Sequence, residues 1–566
     1  MIDNYIVRGP KVRWNVCFNP KATVYRSLLQ LTCISQKEGK IVKKKRERYE
    51  SSIIMWDKCK APLLLVILVI VASDANDCVP RNFGQGSVVC VCNATYCDEL
   101  PDSNPKVPES GTFYWYVSSK EGLRLSMLQA RMGSCQNSSA DTVLHIDTSR
   151  KYQTVLGFGG AFTDSAGINI RNLSEATQDQ LMRAYYGSNG SRYSLGRIPI
   201  AGTDFSTRPY TYDDVAGDVS LQNFSLTEED YDYKIPYLRK AIELNPDVKF
   251  FSAAWSAPPW MKTNDRINGF GFLRKDYYQA FANYIVKFLD AYKSNGIDVW
   301  AVSTGNEPLN AYVPFDRLNT MGWTPDTLAN WVANYAGPTL AASAHNGTQI
   351  LVLDDQRIEL PWFVNKVFED KTAKKYIVGT AVHWYTDSFA PPILLDLTHN
   401  GSPDKFILMT EACTGAGTLD YPKVSLGSWS RGQEYILSII QYMNHWSVGW
   451  VDWNIALDTT GGPNWIQNYV DSPIIVNADA DEFYKQPMYY ALKHFSRFVD
   501  RGSVRIAITD THNVKATAFV TPSDQVVVVL YNNNTQKKNI VINDPKKDPI
   551  CLELPAYSMN TVIYAQ

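Results

Sequence analysis

The chain has 566 residues, more than one ordinary core supports, and its 55 Lys and Arg nearly cancel its 57 Asp and Glu. Such a balance argues against a nucleic-acid partner held by a general basic field, and the run "KKKRER" at 43–48 is a local exception. Fifteen Trp and 33 Tyr permit sugar-stacking faces, although the same rings also serve core packing.

From the N-terminus, the stretch "APLLLVILVIVASDA" at 61–75 has an apolar run, lysines before it and small residues after it. That is the layout of a secretory signal peptide, and it is too short for a comfortable membrane span. With Met55 just upstream, residues 55–75 are expected to be the signal and residues 1–54 an extension absent from the mature protein. Cys78, Cys90, Cys92 and Cys97 follow in a crowded group, while Cys135, Cys413 and Cys551 are scattered. The crowded four are expected to form two disulfides, with a zinc site as the rival reading. Eight N-x-S/T sequons, at Asn93, Asn137, Asn172, Asn189, Asn223, Asn346, Asn400 and Asn533, fit a secreted glycoprotein.

Residues 103–150 and 503–566 hold short β-type runs such as "TFYWYV", "TVLHID" and "VVVVLYN" without helical patterning, and are expected to form one β-sandwich from both ends of the chain. Between them, apolar strand-like segments ending in polar or aromatic residues recur eight times, from "TVLGFGGAFTD" through "VWAVSTGNEP" to "VGWVDWNIAL". Helix-like stretches such as "YYQAFANYIVKFLDAYKSNG" separate most of them. Eight alternations predict a parallel (β/α)8 barrel over 151–454 with 488–502, whose chemistry sits where the strands end. The residues at those ends include Arg197, Asp204, Trp255, Asn306, Glu307, Gln356, His383, Trp384, Tyr385, Glu411, Trp453 and Asn468. Two carboxylates, a His, an Arg and several Trp in one cup suit carbohydrate chemistry.

The segments "VVCVCNATYCD", "GFGGAFTD", "YTYDD", "LDDQR", "AVHWY", "TEAC", "GGPNW" and "FYKQPM" together resemble glycoside hydrolase family 30, in particular its glucosylceramide-cleaving members, from about Cys78 to the C-terminus. The resemblance implies an acid/base at Glu307, a nucleophile at Glu411, and glucose-binding residues at Asp204, Trp255, Asn306, Trp453 and Asn468. It also implies a small disulfide-bearing antiparallel sheet from 76–102 with 455–487, with pairs Cys78–Cys90 and Cys92–Cys97. A lysosomal, lumenal address at a membrane surface, a saposin-type activator and anionic lipid come from the same resemblance, and no cofactor or metal does. The loops after Glu307 (Tyr312, Phe315) and after Glu411 (Ala416, Thr418) depart from the family pattern where the aglycone enters.

Glycoside cleavage needs one carboxylic acid to protonate the leaving oxygen and a second carboxylate on the sugar's other face; a separation of about 5 Å would make the second a nucleophile with retention. Arg197 is a candidate to hold Glu411 ionised, Tyr385 to donate to it, and Gln356, His383 and Trp384 to orient the site; Cys413 is read as an inert thiol. The alternatives are another retaining β-glycosidase acting on soluble glucosides or xylans, and a non-catalytic sugar-binding or escort protein.

Overall fold

A computed structural model describes residues 77–100, 107–135, 140–313, 317–417, 420–509 and 514–566. The expected extension and signal peptide, and Asn137, Phe315 and Thr418, lie outside the described residues.

Eight parallel strands close into a barrel: β1 (Gly157–Ala161), β2 (Leu195–Ile200), β3 (Lys249–Ala254), β4 (Val299–Ser303), β5 (Gln349–Gln356), β6 (Ile377–His383), β7 (Phe406–Glu411) and β8 (Ser447–Asn454). The β1–β8 seam pairs Phe158 with Trp450. It needs glycine, because a Cβ on Gly449 would stand 2.2 Å from the Gly157 carbonyl oxygen. Helices pack outside, among them α1 (Tyr278–Ser294), the predicted "YYQAFANYIVKFLDAYKSNG" helix trimmed at both ends, and α2 (Trp429–Asn444).

The barrel interior is layered by the period of two along each strand. One cluster joins Leu195, Phe251, Ala301, Leu351, Ala381, Leu408, Val448 and Val451. Two residues further along their strands come Arg197, His383 and Thr410, all buried. The apolar plug thus carries a charged layer directly above it.

The expected sandwich is present, with nine strands drawn from Thr112–Thr154 and Val504–Ala565. The "VVVV" strand Gln525–Asn532 is apolar without alternation because both its faces are covered: Val526, Val528 and Leu530 enter the sandwich core, while Val527, Val529 and Tyr531 join the barrel's main core. A third disulfide, Cys135–Cys551, spans 416 residues here.

The small sheet runs Pro80–Asn82, Val88–Asn93, Glu482–Lys485, Ile474–Asn477 and Leu457–Asp458, and carries Cys78–Cys90 and Cys92–Cys97, which takes up the four thiols a zinc ion would use. It is mixed rather than wholly antiparallel, since its last two strands pair parallel. Asn172, Asn223, Asn346, Asn400 and Asn533 are exposed; Asn93 and Asn189 are half-buried, and Asn189 spends its amide on Glu99. No helix of the described residues is long and apolar enough to cross a membrane.

Candidate active site

Glu307 ends up in the cup because the chain turns sharply after β4. Gly305 (φ 138°) and Glu307 itself (φ 42°) take left-handed backbone conformations that fold the strand into the short helix Pro308–Tyr312. A glutamate in that region is strained, and neighbours hold it. Its N–H donates to the Asp354 carbonyl (3.0 Å), and its carboxylate accepts from Gln356 Nε2 (2.7 Å), Asn310 Nδ2 (2.6 Å) and His383 Nδ1 (2.8 Å).

Glu411, the last residue of β7, is gripped differently. One oxygen bonds the Arg197 guanidinium, and the other accepts from the Tyr385 hydroxyl at 2.9 Å. Arg197 also donates to Asn306 Oδ1 (2.7 Å) and Asp354 Oδ2 (3.0 Å), and its guanidinium lies 4.9 Å from the Trp255 ring centre and 5.4 Å from that of Trp453. Those two indoles stack on each other at 5.1 Å. Glu307, His383 and Glu411 each bring one polar atom within 4.8 Å of the other two.

Burial would push His383 down, but Glu411, Asp354 and Glu307 outweigh it and raise the imidazole to about 10. Both ring nitrogens face carboxylate oxygens, Nδ1 that of Glu307 and Nε2 that of Asp354 Oδ1 (3.1 Å), so the imidazolium form donates to both. Burial pushes Glu411 up, while the cations His383 and Arg197 pull against it. For Arg197, burial is outweighed by Asp354 and Glu411, which hold it above its ordinary value. Asp204 is raised to about 7 by burial, even though Asn468 Nδ2 (3.1 Å) and Asn464 Nδ2 (3.0 Å) both donate to its Oδ2. Burial also pushes the Cys413 thiol far up, as an inert thiol requires.

A cavity of about 370 Å³ brings together Asp204, Trp255, Asn306, Glu307, Gln356, Tyr385, Glu411, Trp453 and Asn468. Arg197 and His383 lie behind that wall. Trp384 does not line it; its ring meets Tyr435 and Trp450 edge-on, and its backbone N–H donates to the Glu411 carbonyl (3.3 Å). Four participants went unnamed in the sequence reading: Asp354, Asp355, Asn310 and Asn464. "LDDQR" and "GGPNW" contained three of them, and paired acids at a strand end were the available signal.

The chain matches the glycosyl hydrolase family 30 TIM-barrel domain over residues 155–499 and the family's beta sandwich domain over 502–562. It is 41% identical to lysosomal acid glucosylceramidase of Mus musculus, covering 87% of this chain and 96% of that one. It is 41% identical to putative glucosylceramidase 3 of Caenorhabditis elegans, over 88% and 97%. The crystal structure of SrfJ from Salmonella typhimurium superposes with a TM-score of 0.74 at 27% identity, covering 80% of this chain and all of the other.

Proposed function

The chain belongs to glycosyl hydrolase family 30, and from that premise we propose that it is a retaining β-glucosidase that hydrolyses glucosylceramide to glucose and ceramide. The observation that carries the reading is the closeness of the two carboxylates: oxygens of Glu307 and Glu411 lie within 4.8 Å, in the range of nucleophilic double displacement and short of the roughly 6.5–9.5 Å that an inverting enzyme keeps open for water.

Glucose sits in the cup with Asp204, Asn306 and Asn468 facing its hydroxyls and Trp255 and Trp453 against its apolar edge. Glu307 delivers a proton to the glycosidic oxygen as Glu411, aligned by Arg197 and Tyr385, attacks the anomeric carbon. Ceramide leaves and a glycosyl ester remains on Glu411. Glu307, now a carboxylate, takes a proton from water, which attacks the same carbon and releases glucose with its configuration retained. A lipid substrate places the mouth at a membrane surface, where anionic lipid and a saposin-type activator would present it, in an acidic lumenal compartment.

Mass spectrometry after reaction with a 2-deoxy-2-fluoro glucoside bearing a good leaving group tests the roles. The expected label is on the peptide containing "TEACTG"; labelling elsewhere overturns the assignment of Glu411. Release of ceramide from glucosylceramide, compared with release of sugar from soluble glucans and xylans, tests the substrate.

A further inference from the structure

Directly behind the Glu307 turn lies a second pair of acids, Asp355 and Glu359. Asp355 is the penultimate residue of β5, in "LDDQR", and Glu359 closes the single turn Arg357–Glu359 that follows. Both are buried, Glu359 to 5% exposure. Asp355 is well supplied with donors: Oδ2 accepts from the Leu309 N–H (2.9 Å), two residues past Glu307, and Oδ1 from the Gln356 N–H (2.8 Å). Glu359 is not. Neither of its oxygens makes a hydrogen bond of normal geometry among the described residues; the Gln356 N–H, already given to Asp355, is the one donor that bears on it, and the side chain that shares a hydrogen bond with it is the Asp355 carboxyl.

Two acceptors can lie together in a buried site only if one carries a proton, because an ionised carboxylate without donors is among the most costly groups to bury. The proton belongs on Glu359, since Asp355 is the one stabilised as an anion by two N–H groups. We propose that Glu359 is a positioning residue for the acid/base: it stays a neutral carboxylic acid, donates its proton to Asp355, and through Asp355 fixes the Leu309 N–H and the strained Glu307 turn. The inference rests on the proposed role of Glu307.

Three consecutive residues then hold Glu307 from one strand end. The Asp354 carbonyl takes its N–H, the Asp355 carboxylate takes the N–H of Leu309, and the Gln356 amide reaches its carboxylate. A neutral Glu359 also keeps the charge of the pair at a single negative, which matters because Glu307 faces both members and His383 faces Asp355. Burial, reinforced by Asp355, pushes Glu359 far above the ordinary carboxylate range, whereas for Asp355 the push from burial and Glu307 is opposed by the Leu309 and Gln356 N–H groups.

The test compares Glu359→Leu with Glu359→Gln on two β-glucosides, one with a poor alkyl leaving group and one with dinitrophenolate. Leucine removes the donor, and is expected to lower kcat/KM for the alkyl glucoside about 10-fold while sparing kcat/KM for the dinitrophenyl glucoside, whose first step needs no proton. Glutamine keeps a donor for Asp355 and is expected to restore the alkyl rate without moving the pH limbs of kcat/KM. Infrared difference spectra of wild type against Glu359→Gln should show the carbonyl stretch of a protonated carboxylic acid lost in the variant.

If Glu359 were ionised, glutamine would delete a negative charge beside Glu307 and move the basic limb to lower pH; that shift, or the missing carboxylic-acid band, overturns the proposal. Equal slowing of both glucosides by leucine, or no slowing of either, does so too. Should Glu359→Leu not fold, the glutamine profile and the infrared band still decide. Glu307→Ala run in parallel keeps the premises apart: without a leaving-group split there, the assignment of Glu307 fails, whereas a split there and none at residue 359 sinks only the present inference.

Discussion

At the closed end of the barrel Leu195, Ala381 and Leu408 fill space, and two residues further along the same strands Arg197, His383 and Thr410 meet one another through Glu411 and Asp354. One layer is held by close-packed apolar volume, which tolerates exchange for equal volume. The other is a network in which Thr410 Oγ1 (2.7 Å) and His383 donate to one Asp354 oxygen while Arg197 donates to the second, so each member is satisfied only while the others are present. Stability should therefore be lost from the lower layer and activity from the upper.

The largest effect that could break this division is at Glu411. Glu411→Ala is expected to lower turnover by roughly 10⁴-fold or more, the scale seen when a covalent nucleophile is removed. Added azide should then yield the α-glucosyl azide by a single inversion, read by NMR of the product; a β-azide from this variant would mean that the nucleophile lies elsewhere. Glu307→Ala comes next, with roughly 10²-fold or greater loss on glucosylceramide. Its dinitrophenyl glucoside should still glycosylate Glu411 and then stall, and azide should rescue it to the β-azide.

In the lower layer, Leu408→Ala should cost about 2–5 kcal/mol of unfolding free energy. Denaturant melts measure that loss, and kcat per folded molecule should stay near wild type. A large fall in kcat with little loss of stability would show that the plug and the charged layer are one functional unit.

The barrel was legible because eight strand ends repeat one physical pattern, and the cup because chemistry-bearing residues concentrate at those ends. Asp354 and Asp355 were passed over for a local reason. β5 is irregular between Leu353 and Asp355, with Leu353 (φ 79°) and Asp354 (φ 56°) in left-handed conformations, so simple alternation fails where the acids lie. The Cys135–Cys551 link was unreadable because spacing carries no information across 416 residues when a whole barrel intervenes. The parallel pairing of Leu457–Asp458 with Ile474–Asn477 depends on a crossover that composition does not encode. Trp255 and Trp453 were rightly expected in the cup, but their stacking on each other and under Arg197 depends on strands far apart in sequence.

The smallest effect separates the cup from the lower layer by pH. Asp204, at the mouth, is raised by burial to about 7 in the folded chain, against about 3.9 for an unfolded Asp. The folded state therefore binds this proton more tightly. The stability it contributes is fully present below about pH 4 and is lost as pH rises through about 7. Asp204→Asn cannot ionise and can still present an oxygen to Asn464 and Asn468, so the variant should match wild type in Tm near pH 4.5 and exceed it near pH 8, even as sugar binding weakens. Other shifted groups, such as buried His494, lowered to about 3 by burial, and Lys262, lowered to about 7 by burial, are common to both proteins and cancel in the difference. Leu408 carries no proton, so Leu408→Ala should lower Tm by a similar amount at every pH. Parallel Tm curves for wild type and Asp204→Asn would mean that Asp204 does not titrate in this range.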